Sequence, residues 1–599
     1  MMTYRAPQDD IVFAMTHAAG MAAGVEAGVY ADLADGAAAA VLEEASKFAE
    51  GVLAPINKAG DEHGATWTDG VVKTAPGWVE AYARWQEGGW SGVVSPVEYG
   101  GMGLPHLLNS ACLEVWTSAN MAFMLAPMLG FGAVDAIDQH GAEDLKKTWL
   151  SKIVSGEWPA TMNLTEPQAG SDLGALRTRA ERAADGTYRI KGQKIFITYG
   201  EHDMSANIVH LVLARLPDAP AGTRGISLFL VPKFLLNPDG SLGAHNDLRC
   251  TGIEHKLGIH GSPTCSMSYG DHGGAIGWIV GEENRGLNFM FTMMNAARLG
   301  VGLQGVALAE ASFQHALAYA RERKQGRATS FKGEGMAPII HHPDMQRMLM
   351  TMKAMTQAAR TICYLTANAL DLSHRLEDPE QRRIANERAG LLTPIAKAFS
   401  TDIGNEVTSL GVQVHGGMGF IEETGAAQFM RDSRIAAIYE GTNGIQAIDL
   451  VQRKIGLSGG DAVKREIADM RATIETVRAA NAPVFGRMAD RLGETLASFE
   501  RATAWMLGKI GASPDEALAG AAPYLRLFGL ARGGVSLAQL ALAAHRLSTD
   551  GSDAVQAGRI STARFFAENI AIAASGLEAS VVDGAASLRD AEAVLAVGA

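Results

Sequence analysis

The strongest constraint in this sequence is a double change of hydrophobic rhythm. From Asp35 to Val154 apolar residues recur every three to four positions, in stretches such as Ala37 to Val52 and Leu107 to Met124, the spacing that lines one face of a helix. Gly100, Gly101, Gly103 and Pro105 punctuate that block. Between about 158 and 285 the rhythm becomes short β-prone runs: Tyr188 to Thr198, Ile208 to Ala214, Ile226 to Val231 and Ile276 to Val280. No amphipathic helix separates them, so they predict an antiparallel sheet or barrel rather than a doubly wound parallel one. After Gly286 helical spacing returns: Met290, Met294, Ala297 and Val301 share one face, and Met345, Met348, Leu349 and Met352 make a second stripe. Both stripes read as adaptable core filling. Beyond about Leu457 an Ala-rich region broken by Pro483, Pro514 and Pro523 reads as a bundle of about four more helices.

The expected fold class is therefore α+β. Residues 1–35 form an N-terminal extension, 36–157 a helical domain, 158–285 a central antiparallel β domain, 286–456 a helical bundle and 457–599 an additional C-terminal helical domain. A 599-residue chain with 47% hydrophobic and 20% charged residues can bury such cores. A net charge of −13 disfavours nucleic acid and acidic membranes as partners. From Ser458 onward, 14 Lys plus Arg face 16 Asp plus Glu, so the last domain offers no basic surface. Four cysteines, Cys112, Cys250, Cys265 and Cys363, are too few for a disulfide scaffold and point to a reducing, cytoplasmic compartment. Met1 to Asp10 has no basic region feeding an apolar stretch, and no run of about 18 uninterrupted apolar residues follows. Neither an export signal nor a membrane span is expected.

Four segments could carry chemistry. Met162 to Asp172 (MNLTEPQAGSD) leads from a β-prone start into a Pro/Gly/Ser/Asp turn that exposes N–H groups and hydroxyls, suited to a phosphate or a flavin edge, or else a plain turn. Lys194 to Gly200 (KIFITYG) puts Phe196 and Thr198 on one face of a strand, where an aromatic can stack on a ligand or simply be buried. Gln413 to Phe420 (QVHGGMGF) follows a helical pattern from Pro394 to Leu410; its glycines allow close backbone approach or end a helix, and without a preceding strand they are no dinucleotide fingerprint. In Arg431 to Gln446 (RDSRIAAIYEGTNGIQ), Glu440 stands at a helix-to-turn junction in apolar surroundings, where desolvation would raise its pKa toward that of a general base; a surface glutamate is the alternative.

TEPQAGSD, KIFITYG, KLGIHGSPT (Lys256 to Thr264), QVHGGMG and IYEGT, in this order over residues 36–455, resemble the acyl-CoA dehydrogenase family of flavoproteins. The chain is most similar to its enlarged bacterial type with an extra C-terminal helical domain, a group that includes the 3-(methylthio)propanoyl-CoA dehydrogenases. The resemblance implies bound FAD, and oxidation of an acyl-CoA to the trans-2-enoyl-CoA. Glu440 would remove the pro-R α-proton while the β-hydride goes to flavin N5. The thioester oxygen would be held by the flavin ribityl 2′-hydroxyl and by the base's own N–H. It also implies that Leu164, Thr165, Gly170, Ser171, Phe196, Thr198, Arg323, Gln413, Gly417 and Thr442 bind FAD, with Gln413 and Gly417 reaching a neighbouring subunit's cofactor. Ser171, Asn295, Arg298 and Gly441 would face the acyl-CoA. A homo-oligomer, as a dimer, and an electron-transfer flavoprotein as acceptor follow from the same resemblance.

The chain departs from the family pattern at three places. Phe196 stands where most relatives have tryptophan, which keeps stacking and loses an indole N–H. Asn295 replaces a usual aspartate, and the ERKQGR segment around Arg323 is shorter than the common pattern. Some members carry the base one residue before the arginine that corresponds to Arg298; here that residue is Ala297. An acyl-CoA oxidase returning electrons to oxygen, and a DNA-protective flavoprotein, are the rival readings. Cys250, His255, His260 and Cys265 are evenly spaced but lie across KLGIHGSPT and do not match paired zinc-ligand spacing, so no metal is expected. The C-terminal domain's apolar stripes call for a partner surface, expected from dimerisation or from covering the site.

Overall fold

The computed structural model describes residues 4–548 and 553–597; the side chains of 291–295 are outside the described set. The chain divides into two compact units, one of Ala45–Pro105 and Val115–Gly300, the other of Met1–Glu44, His106–Glu114 and Val301–Ala599.

The first unit holds the strands. Thr66–Thr68 (β1) and Val71–Lys73 (β2) form a small hairpin that the sequence did not announce. The main sheet has eight strands: Ala160–Asn163 (β3), Arg179–Arg182 (β4), Tyr188–Thr198 (β5), Val209–Arg215 (β6), Ile226–Pro232 (β7), Leu248–Ile253 (β10), Thr264–Tyr269 (β11) and Ala275–Ile279 (β12). Phe234–Leu236 (β8) and Leu242–His245 (β9) pair separately. The order is β10-β11-β5-β12-β7-β6-β3, with β4 alongside β5. Its pairings are antiparallel except β3 with β6 and a single β4–β6 register pair, so the sheet is mainly, not wholly, antiparallel. Leu211, Leu213, Leu228 and Leu230 on one face pack with Ile137, Trp149 and Ile153 from helices Met121–His140 and Glu143–Val154, and with Met290 and Ala297. Val212, Phe229, Ile190 and Met267 fill the opposite face.

The second unit is helical. Helices Pro343–Arg375 and Pro379–His415 pack along each other, and Met348, Leu349 and Met352 are buried, as the methionine stripe implies. The second of these starts well before Pro394, which lies inside it; Asp378 caps its N-terminus by accepting from the Gln381 N–H at 2.8 Å. Pro523 likewise interrupts nothing, because it sits in the first turn of helix Ala521–Leu547, where no helical N–H bond is required.

That helix covers part of the C-terminal domain's apolar surface. Its apolar face meets the chain's own bundle. A Cβ at Gly529 would fall 2.2 Å from the Phe399 ring and one at Gly533 2.9 Å from Ala358 Cβ; within the C-terminal domain itself, one at Gly534 would fall 2.7 Å from Leu492. Glycine is what lets these helices approach. Arg532, fully buried, pairs with Glu466 at 3.0 Å and Asp469 at 2.6 Å, while Arg388 of the bundle reaches the same Glu466 at 2.9 Å. The stripe on this helix therefore has its partner surface within one protomer.

Among the described residues, three stretches do reach the length and mean hydropathy of a membrane span, although none is an uninterrupted apolar run: Met121–His140, Ala521–Leu547 and Ala554–Leu588. The first two are 78% and 94% buried in the protein itself, which accounts for their apolarity as core helices. The third is Ala-rich and broken by tighter and wider turns at Phe566–Ile570 and Ala571–Ala573.

Candidate functional site

The MNLTEPQAGSD segment leaves β3 as a short loop closed on itself by paired backbone bonds between Glu166 and Ala169, at 3.0 and 2.9 Å. What fixes it is buried charge. The Glu166 carboxylate accepts from Lys194 Nζ (2.8 Å), Thr178 Oγ1 (2.6 Å), Gln168 Nε2 (2.6 Å) and the N–H groups of Arg177 (2.7 Å) and Thr178 (3.0 Å). Burial works to raise its pKa, but the Lys194 ammonium and these donors bring it down to about 2. Lys194, 0% exposed, also donates to the Leu164 carbonyl at 2.9 Å, and Ile195 N–H donates to the Thr165 carbonyl at 2.9 Å. Leu164 and Thr165 are thus bound to the strand carrying Phe196. Beyond them Gly170 and Ser171 are exposed.

β5 is not a regular strand at this point. Its register with β11 pairs Lys194 with Met267 and Ile197 with Cys265, so Ile195 and Phe196 together oppose Ser266. This bulge turns Phe196 to φ +61 and leaves its ring 58% exposed, while Ile197 returns to the core and Thr198 is half-buried. A left-handed aromatic with its ring in water carries two costs at once, about 1–2 kcal/mol for the backbone alone.

In the other unit, Glu440, Gly441 and Thr442 occupy one turn between Arg434–Ala437 and helix Asn443–Asp449. Glu440 is half-buried at φ +55 and Gly441 follows at φ +83. Lys397 Nζ donates to the Gly441 carbonyl at 2.9 Å, and Gln446 Nε2 to the Glu440 carbonyl at 3.2 Å. Thr442 Oγ1 caps the following helix by accepting from Ile445 N–H at 3.2 Å. The Tyr439 phenol donates to Gln304 Oε1, and burial together with the Glu440 carboxylate pushes its pKa up.

Gln413 is exposed near the end of helix Pro379–His415, and Gly416 at φ +59 terminates it, so the glycines both stop a helix and leave open backbone. A Cβ at Gly416 or Gly417 would meet nothing within 4 Å. His415, stacked on Tyr319 at 4.4 Å and His315 at 4.7 Å, anchors that end. Arg323 follows helix Gly286–Glu322 and is exposed. Arg298 is buried on the same helix; the Asn295 side chain lies outside the described residues. Ala297 is packed in apolar core. His260 is engaged on both ring nitrogens, with Asp61 at 2.9 Å and the Lys256 carbonyl at 3.0 Å.

Residues 37–157, 161–271 and 284–456 match the N-terminal, middle and C-terminal domains of acyl-CoA dehydrogenase, and 467–592 match a domain described as acetyl-CoA dehydrogenase C-terminal like. The chain belongs to the acyl-CoA dehydrogenase family. It is 45% identical to the 3-methylmercaptopropionyl-CoA dehydrogenase of Ruegeria pomeroyi over 590 residues, 98% of this chain and 99% of the relative. With a butyryl-CoA dehydrogenase of Syntrophomonas wolfei it shares 36% over 547 residues, 89% of each chain. Its fold follows that of an acyl-CoA dehydrogenase from Bacillus anthracis complexed with FAD, with TM-score 0.72 at 21% identity, covering 93% of this chain and 91% of that one. This dehydrogenase is accordingly an FAD-dependent oxidoreductase acting on an acyl-CoA thioester.

Within the strand-bearing unit the residues present fit FAD: an exposed aromatic held on a bulge, beside hydroxyls and a glycine at an open loop. Sequence reasoning missed Glu166, Lys194, Lys397 and Gln446. Two of them left a trace, a lysine at the head of the apolar run KIFIT and one inside LLTPIAKAFS, where a buried charge must have partners.

Proposed function

We propose that this dehydrogenase oxidises a short- to medium-chain acyl-CoA, with 3-(methylthio)propanoyl-CoA the leading substrate, to its trans-2-enoyl-CoA, and that Glu440 is the base. The observation that carries the reading is the Glu440–Gly441 turn, where a carboxylate is held in a left-handed conformation that an ordinary surface glutamate would leave. Glu440 takes the α-proton, and its own N–H donates to the thioester oxygen as negative charge develops there. FAD, when bound, supplies the hydride acceptor. Leu164, Thr165, Gly170, Ser171, Phe196, Thr198, Arg323, Gln413, Gly417 and Thr442 would hold it, and Ser171, Asn295, Arg298 and Gly441 would orient the acyl-CoA. The substrate assignment is supported by 45% identity along essentially the whole length of the Ruegeria enzyme.

The same reading takes the enzyme as a cytoplasmic homodimer that passes electrons to an electron-transfer flavoprotein. Four buried, unbridged thiols support the compartment. Met418, Phe420 and Ile421, exposed beside Gly417, support assembly, since an 87% exposed phenylalanine next to two more apolar side chains is costly in water.

Anaerobic mixing with straight, branched and sulfur-containing acyl-CoA thioesters tests the reading: bound FAD bleaches fastest with the preferred substrate, and Glu440→Gln retains FAD without bleaching. Wild-type bleaching by that variant would remove Glu440 as the base.

A further inference from the structure

The catalytic turn is held by side chains that the reaction itself does not use. Two consecutive residues, Glu440 at φ +55 and Gly441 at φ +83, reverse the chain between Arg434–Ala437 and helix Asn443–Asp449. Glycine adopts this conformation freely, but glutamate does not. Left alone, Glu440 would relax to negative φ and swing its carboxylate away.

Lys397 and Gln446 grip the two carbonyls of this pair. Lys397 is wholly buried, and its Nζ donates to Gly441 O at 2.9 Å and to Asn443 Oδ1 at 2.9 Å. Gln446, also wholly buried, donates through Nε2 to Glu440 O at 3.2 Å and lies 3.5 Å from Gly441 O. Asn443 completes the frame by donating to Asp402 Oδ1 at 2.6 Å and Thr401 Oγ1 at 3.0 Å. Lys397 and Thr401 stand one helical turn apart on Pro379–His415, so the frame is mounted on a rigid buried face. Sinking an ammonium completely is costly, and here it is directed at the carbonyl of the residue that follows the base.

We infer that Lys397 and Gln446 are positioning residues that hold the Glu440–Gly441 pair left-handed and thereby aim the Glu440 carboxylate at the substrate α-carbon. This rests on the reading of Glu440 as the base. Neither residue touches substrate in this account; they act through two backbone carbonyls.

The test uses the FAD-loaded enzyme with Lys397→Met, which keeps length and removes the donor, and Gln446→Glu, which keeps shape and sets an acceptor against the Glu440 carbonyl. Two rates are read: anaerobic flavin reduction at saturating acyl-CoA, and α-proton exchange in deuterated water for an acyl-CoA with sulfur in place of the β-carbon, which can be deprotonated but has no β-hydride to give. Both rates should fall together by about 10- to 100-fold, the scale on which small misplacements of a catalytic group act. Ligand affinity should change by less than about threefold, because uniform binding is untouched. Rates within twofold of wild type in both variants would overturn the inference. So would losses confined to FAD content and melting temperature, with normal exchange per FAD-loaded site. Glu440→Gln runs alongside: if it abolishes exchange while the other two variants exchange normally, the clamp fails and the base stands. If Glu440→Gln itself exchanges normally, the base reading fails first.

Discussion

Phe196 and Glu440 are both non-glycine residues at positive φ on segments assigned to the chemistry, yet they are held in opposite ways. Phe196 is imposed by the sheet: a register shift against β11 creates the bulge, and the ionised Glu166–Lys194 pair ties the bulged strand to the neighbouring loop. The Glu440 turn is gripped from two helices through neutral carbonyl oxygens, by Lys397 and Gln446. The first support depends on a carboxylate staying ionised. The second places its named bonds on backbone, so that a change of charge on the Glu440 side chain leaves them in place. On the proposed reading of Glu440 as the base, a group that must change protonation is better held by its main chain than by a charged lock.

Four experiments would break or sharpen this contrast. The largest effect is expected from Glu440→Gln, which should slow flavin reduction by at least about 10³-fold, within the range for removing a general base, with the urea midpoint unchanged. A matching loss of stability would mean that the carboxylate is part of the scaffold after all. Next, Lys194→Met should destabilise the unit by about 3–5 kcal/mol in urea denaturation, because it strips the cation from a buried carboxylate; a loss under about 1 kcal/mol would make the lock dispensable. Third, acid should loosen the loop. Glu166 is depressed from 4.5 to about 2, so its contribution is complete above about pH 4.5 and is lost as pH falls toward 2, about 3 kcal/mol in all. Glu166→Gln should flatten the pH dependence of stability in that window, and an unchanged slope would assign the acid sensitivity elsewhere. The smallest effect is expected from Phe196→Gly, which relieves the left-handed strain and should raise the FAD-stripped protein's stability by about 1 kcal/mol while weakening FAD retention. A fall in both would mean that the ring supports the sheet instead.

The β5, β6 and β7 strands were legible because they are dense β-branched and apolar runs, and so was the helical character of what precedes and follows. β10 and β11 were not, since LRCTGI and TCSMSY mix small, polar and sulfur-bearing residues whose burial depends on neighbouring strands. Pro394 and Pro523 misled for a related reason: a proline's cost is local, and surrounding packing or a first-turn position decides whether a helix survives it. The C-terminal domain's apolar face was visible in the sequence, but its partner surface was not, because that surface is assembled from residues more than a hundred positions away, such as Phe399 against Gly529.

Sequence alone determined the order of helical and β segments, the family, and the candidate identities of base and cofactor ligands, because these follow from periodicity and from motifs whose residues are neighbours along the chain. Only the tertiary structure decided the conformation of Phe196 and Glu440, the lock at Glu166 and the grip of Lys397. A backbone angle at positive φ, or a charge out of water, is sustained by partners that folding brings from distant positions, and nothing in the local sequence specifies those partners.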